Sequence, residues 1–128
     1  MGQPAAKKGD RIVAVDTHIV LMPPANAPVP LPSPFAGIIQ GNLSSDVKIM
    51  GQPAATVGST ADNVPPHIPA GAGFQQPPKN KGTIQAGSQT VKINGKAAAR
   101  TGDKAMTCND PSDLPVGTVI AAGTVMIG

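Results

Sequence analysis

The chain has no tryptophan and no tyrosine, and its only aromatic residues besides histidine are Phe35 and Phe74. Aromatic side chains supply much of the area buried in an ordinary core, so a thick conventional core is excluded. A single cysteine, Cys108, rules out an internal disulfide and fits synthesis in a reducing compartment. Charged residues make up only 13% of the chain, and the net charge is +3. Basic residues cluster only at Lys7-Lys8 and within Pro78-Lys79-Asn80-Lys81. No stacking platform or arginine-rich surface accompanies them, so no nucleic acid is expected as a partner. No apolar run approaches the ~20 residues that span a bilayer, so stable membrane insertion is not expected either. Met1-Gly2-Gln3-Pro4 has neither the charged nor the apolar region of a signal peptide. The chain is therefore expected to be made in the cytoplasm.

What is abundant is glycine and proline, fifteen of each in 128 residues. Such a composition approaches that of disordered chains, but the low charge and the β-branched runs argue for a folded β structure. The length suits one domain, residues 1–128, with a modest core. No stretch carries a capped helical period, so little or no helix is expected.

The strongest signal is an internal repeat. Val91-Lys92-Ile93-Asn94-Gly95-Lys96-Ala97-Ala98-Ala99-Arg100-Thr101-Gly102-Asp103 reads as a short strand, a tight turn at Asn94-Gly95, a small-residue segment and a second turn. Val47 to Ser59 is a near-copy, with Met50-Gly51 at the turn. A third copy is split between the chain ends, Gly2 to Asp10 and Val125 to Gly128. The units fall near residues 37–67 and 83–108, with the split one in 1–10 plus 117–128. Three copies, one circularly divided, predict an all-β cone or prism of three pseudo-threefold hairpin repeats, with Pro/Gly-rich loops and termini close together. Isolated two-stranded ribbons are marginal in water, so the three must share one axis of Val and Ile.

Hairpins are expected over 83–93 (turn at Gly87-Ser88), 117–128 and 37–49. Arg11–Val15 and His18–Met22 read as extended runs that stop at Pro23-Pro24. Six prolines between residues 23 and 34 predict an extended or polyproline-like crossing segment, because alternate prolines cannot donate to a central ladder.

His18 lies eight residues after Asp10, His67 eight after Ser59, and Cys108 five after Asp103. The only two histidines and the only cysteine thus sit on corresponding arms of three repeats, and threefold packing would bring them together. Imidazole and thiolate suit tetrahedral zinc, with iron as the alternative. Taken singly, a lone cysteine is often a small buried hydrophobe, and a histidine among prolines is often a surface residue. Their shared placement points to a metal.

The sequences Gln3-Pro4-Ala5-Ala6, Gln52-Pro53-Ala54-Ala55 and Lys96-Ala97-Ala98-Ala99-Arg100 resemble the PAAR (Pro-Ala-Ala-Arg) repeat, and the likeness covers essentially the whole chain. Lys7 and Thr56 replace the arginine of the first two copies, and Ala97 the proline of the third. The resemblance implies the sharp tip of a contractile injection apparatus, such as a type VI secretion system or a phage-tail-like particle. Such a tip sits on a trimeric spike of the VgrG type, one copy per trimer, and carries effector cargo in some systems. It also implies zinc held by three histidines and one cysteine. This chain lacks the third histidine, which leaves the fourth position to water, to Asp16, or to a group near Ser33 in Pro32-Ser33-Pro34-Phe35. No general base or substrate cleft is recognisable, so a structural part and not an enzyme is expected. With no long extension at either end, the expected form is a stand-alone tip, delivered outside the cell or into a target cell. The alternatives are a small metal-binding module or a zinc-dependent hydrolase unrelated to injection.

Overall fold

The computed structural model describes residues 2–64, 66–68, 73–110 and 112–128. In chain order its strands are β1 (Gln3–Pro4), β2 (Arg11–Met22), β3 (Ala27–Gly41), β4 (Lys48–Ile49), β5 (Gln52–Pro53), β6 (Thr60–Asn63), β7 (Gly73–Phe74), β8 (Lys81–Ile84), β9 (Lys92–Ile93), β10 (Lys96–Ala97), β11 (Lys104–Thr107), β12 (Leu114–Ile120) and β13 (Met126–Ile127). No helix occurs among the described residues. The all-β expectation holds.

One end of the molecule is threefold. Three short antiparallel ribbons form it, β4 with β5, β9 with β10, and β1 with β13. In the first two, Met50-Gly51 and Asn94-Gly95 turn with φ of 52° and 84°, and 52° and 79°. Positive φ at both central residues is what a two-residue hairpin of type I′ requires. The third ribbon joins the first strand to the last. Above the ribbons a ring of hydrogen bonds closes the axis. Ala6 N–H donates to Ala99 O at 2.9 Å, Ala99 N–H to Ala55 O at 3.0 Å, and Ala55 N–H to Ala6 O at 3.0 Å. These alanines are fully buried, and only small side chains let three backbones meet so closely. Ile49, Ile93 and Ile127 pack below them with Ala5, Ala54 and Ala98.

From this base the chain enters the body through three matching ladders. Gly9, Gly58 and Gly102 N–H donate to Ile39, Ile84 and Val119 O, at 2.9, 2.9 and 2.8 Å. The body strands β2, β3, β6, β8, β11 and β12 pair in that cyclic order, with β12 returning to β2, so they close a barrel. Ile12, Phe35, Ile39, Ile84 and Val119 fill it together with Ala61 and Ala105. Phe35 is the one large ring in this core, and glycines accommodate it. A Cβ on Gly37 would stand 2.7 Å from Phe35 Cε1, and one on Gly82 3.3 Å from Phe35 Cζ.

The wall then thins. β12 pairs with β2 only at Arg11–Val13, and β6 with β3 only from Gly37 to Gly41. The β2–β3 pair runs on to Met22 opposite Ala27, and among the described residues β7 is the one strand that joins it near its end, at Val20 and Leu21. At ~3.3 Å per residue, the stretch from His18 to Met22 carries the hairpin roughly 13 Å farther.

Two sequence expectations are corrected. The proline-rich segment is extended and outside a central ladder, as expected, but it is no crossing segment: it is the outer half of β3, with Pro28, Pro30, Pro32 and Pro34 opposite Leu21, Ile19, Thr17 and Val15. The alternation makes this possible. All four missing N–H groups lie on the side facing away from β2, while the residues between them supply the ladder donors. An edge strand tolerates proline there and is at the same time blocked from pairing with another chain.

The hairpins expected over 83–93, 117–128 and 37–49 also do not form. β8 pairs with β6 and β11 while β9 pairs with β10. β12 pairs with β11 and β2 while β13 pairs with β1. β3 and β4 likewise belong to different sheets. Apolar alternation identifies a half-buried strand but not its partner. In each case one arm belongs to the body and the next to the base, and a bend separates them. Ser88 Oγ accepts from Thr90 and Val91 N–H at 3.2 and 3.0 Å, and Ser44 Oγ from Asp46 and Val47 N–H at 3.2 and 2.9 Å. These are matching serine turns.

Candidate metal centre

Above Phe35 the interior changes from apolar to polar. Asp16 and His18 are two residues apart on β2 and so share its inner face; both are buried. His67 follows β6, and its N–H donates to Asn80 Oδ1 at 2.8 Å. Its side chain is 2% exposed. Cys108 follows β11, where the β11–β12 register slips between Ala105 and Thr107, and Thr107, Cys108 and Asn109 are all buried in succession. The structure therefore gathers His18, His67 and Cys108, the three residues singled out in the sequence, together with Asp16, one of the candidates for the fourth position. One donor atom from each of the four lies within 4.8 Å of every other.

Two of the three closest separations match the spacing of a zinc ligand set, and the third is a hydrogen-bond distance. His67 Nε2 is 3.0 Å from Asp16 Oδ2, Cys108 Sγ 3.4 Å from the same oxygen, and Cys108 Sγ 3.6 Å from His18 Nε2. Tetrahedral zinc, with bonds of about 2.0–2.3 Å, spaces its ligands by about 3.3–3.8 Å. His18 supplies a second sign of fit. Its Nδ1 is buried without a hydrogen-bond partner, and the nearest carboxylate oxygen, Asp110 Oδ2, is 3.6 Å away, just beyond hydrogen-bond reach. A proton on Nδ1 faces that carboxylate and leaves the Nε2 lone pair directed at the cluster, the arrangement common to metal-bound histidines. The set of two imidazoles, a thiol and a carboxylate suits zinc by ligand type.

Without a cation the same groups form a proton network. Burial first, and then the charge of Asp16, push the Cys108 thiol up to about 11, while backbone N–H groups of Asn80 and Lys81 pull the other way. The thiol is then protonated and donates toward Asp16. Asn63 Oδ1 accepts from Ala36 N–H at 2.9 Å, which turns Asn63 Nδ2 toward His67 Nδ1 at 3.3 Å. In this orientation His67 accepts at Nδ1 and donates from Nε2 to Asp16. A metal held at Nε2 would need the His67 proton on Nδ1, the nitrogen that Asn63 faces. The site can thus hold either protons or a metal.

Ser33 stands opposite Asp16 in the β2–β3 register and lines an apolar surface groove with Leu31, Val64 and Ile68. A separate crevice of about 60 Å³, walled by Gln76, Lys79, Asn109 and Asp113, reaches His18 and Cys108 from outside. Sequence reasoning missed the residues that hold the cluster in place: Asn63, Asn80, Thr107, Asn109 and Asp110. Asp16 is a candidate from the sequence, and its spacing from His18, which puts both on one face of a strand, supports it.

The family model of the PAAR motif matches residues 75–128. This part of the chain is similar to the PAAR motif. The matched segment holds the third unit and the closing strand β13, and among the candidate ligands it includes Cys108. The unit near residues 37–67 and the N-terminal part of the split unit lie outside it, yet their alanines Ala55 and Ala6 complete the same hydrogen-bonded ring as Ala99. No curated protein matches the chain.

Proposed function

We propose that this chain is a PAAR-repeat protein and the sharp tip that caps the trimeric spike of a contractile injection apparatus, and that its task is mechanical. The observation that carries the reading is the threefold base, centred on the Ala6–Ala55–Ala99 ring, in a chain with a PAAR motif. A monomer with an internal threefold axis can offer three similar surfaces to a trimer, so symmetry is matched with one copy per spike. The base exposes Val47, Met50, Val125 and Met126, apolar groups suited to continuing a β-structured spike of the VgrG type. The opposite end thins to a proline-stiffened hairpin. Zinc, with iron as the alternative, is held by His18, His67 and Cys108, and tethers β2, the His67 loop and the end of β11 where little apolar core remains. When bound, the metal supplies a crosslink of fixed geometry, and the task needs no turnover. The tip is assembled in the cytoplasm and leaves the cell with the particle, with effector cargo a further passenger.

Co-expression with a trimeric VgrG-type spike protein, followed by native mass measurement, tests this. One copy per spike trimer is expected, and replacement of Met50 and Met126 by aspartate should abolish the complex. Failure of the unaltered protein to co-purify with such a spike would overturn the reading.

A further inference from the structure

The metal reading names three ligands and leaves a fourth position open. We propose that Asp16 fills it through Oδ2, with Thr107 and Asn109 acting as positioning residues, so that the site is a two-histidine, one-cysteine, one-aspartate centre. The inference rests on the proposed metal at His18, His67 and Cys108 and concerns what completes it.

The two carboxylate oxygens of Asp16 have different surroundings. Oδ1 accepts from Thr107 Oγ1 and, at 3.5 Å, from Asn109 Nδ2. Asn109 is itself fixed, because its Nδ2 also donates to Thr107 O at 3.1 Å and its Oδ1 accepts from Thr17 N–H at 2.7 Å. The carboxylate is therefore held from one side by neutral donors that cannot neutralise it. Oδ2 is turned the other way, toward His67 Nε2 at 3.0 Å and Cys108 Sγ at 3.4 Å. A buried carboxylate needs compensation for its lost hydration, and no lysine or arginine pairs with it among the described ion pairs. Charge balance supports the assignment. A divalent cation joined by one thiolate would keep one positive charge, and the buried carboxylate already faces the same donors, so direct ligation lets the two charges cancel with no water between them. Carboxylate oxygen at about 2.0–2.2 Å is an ordinary zinc ligand beside imidazole and thiolate. Ser33, the other sequence-based candidate, offers a neutral hydroxyl, a poor ligand by comparison.

Purified full-length protein loaded with Zn²⁺, and separately with Co²⁺, provides the test. The unaltered protein is expected to bind one metal ion, and the Co²⁺ form to show intense four-coordinate ligand-field bands with a thiolate-to-cobalt charge-transfer band. Asp16→Asn keeps the shape but removes the anion. It should weaken Zn²⁺ binding in a chelator competition by at least the 10–100-fold typical of lost supporting contacts, and shift the ligand-field bands while the thiolate band persists. Asp16→His should restore tight binding. Thr107→Val should weaken binding less than Asp16→Asn and leave the number of ligands unchanged by X-ray absorption. Unchanged affinity and spectrum in folded Asp16→Asn would overturn the assignment of Asp16 while sparing the three-ligand metal. No metal bound by the unaltered protein would overturn both.

Discussion

His67 Nε2 lies 3.0 Å from Asp16 Oδ2, with the two side chains 2% and 0% exposed. Thr107 and Asn109 approach the other oxygen of the same carboxylate. In metal-free protein, Asp16→Ala therefore takes this acceptor away from four buried donors, His67 Nε2, Thr107 Oγ1, Asn109 Nδ2 and Cys108 Sγ. Each unsatisfied buried group costs about 1–3 kcal/mol, and partial repair by water reduces the sum. A loss of about 2–4 kcal/mol is expected, read from urea unfolding in chelator. A loss below about 1 kcal/mol would mean that the donors re-pair easily and that the network is loose.

A second prediction concerns the level below. A methyl on Gly37 would meet Phe35 Cε1 at 2.7 Å and Ala61 Cβ at 2.9 Å. Gly37→Ala should cost about 1–3 kcal/mol through overpacking. The two neighbours separate in a double-mutant cycle with Phe35→Leu. If the ring is the main obstacle, the two substitutions should couple by more than about 0.5 kcal/mol, with the alanine better tolerated beside leucine. Simple additivity would place the strain on Ala61 instead.

The repeats make the threefold base legible from the residues alone. Asn94-Gly95 has only one good turn to form, and the alanine runs after each turn leave room for three backbones at an axis. The site is legible in part. The two histidines and the cysteine stand out because they are the only ones in the chain, but the sequence spacing misplaces Cys108. Counted from the equivalent positions Asp10, Ser59 and Asp103, it corresponds to Val15 and Val64, which are 63% and 55% exposed. Cys108 is buried because its arm follows the register slip in β11–β12. Strand partners are not legible either. Ile84 and Ile93 alternate like one hairpin, yet one lies in the body and the other in the base, since periodicity reports the buried face and carries no information about long-range pairing. The prolines are indeed barred from a central ladder, but their common parity, which makes them suitable for one open edge, becomes informative only once β2 is placed on the other side.

The metal centre should govern the stability of the upper part of the molecule. A ligand that binds only the folded chain adds about 2.7 kcal/mol at a free concentration a hundredfold above Kd. For a domain of this size that corresponds to roughly 10 °C in Tm. Zinc-loaded protein is thus expected to melt well above chelator-treated protein, and His67→Ala and Cys108→Ser should abolish most of the difference. An equal zinc-induced shift in Cys108→Ser would show that the stabilising ion binds elsewhere.

In metal-free protein, the cysteine should also set an alkaline limit. Burial and the Asp16 charge raise its pKa from 9.0 to about 11. Below about pH 9 the thiol is protonated in both the folded and the unfolded chain, and its contribution is fully present. Between about pH 9 and pH 11 the unfolded chain loses the proton while the folded chain keeps it, so stability falls as pH rises, and above about pH 11 the loss is complete. Two pK units correspond to about 2–3 kcal/mol. Urea midpoints of chelator-treated protein across this range should decline more steeply than those of Cys108→Ser, which has no titrating group at this position. Other alkaline titrations, such as those of the lysines, are common to both proteins and cancel in the difference. Parallel declines would show that the thiol ionises as readily in the folded chain as in the unfolded one, and that its pocket does not exclude the charge.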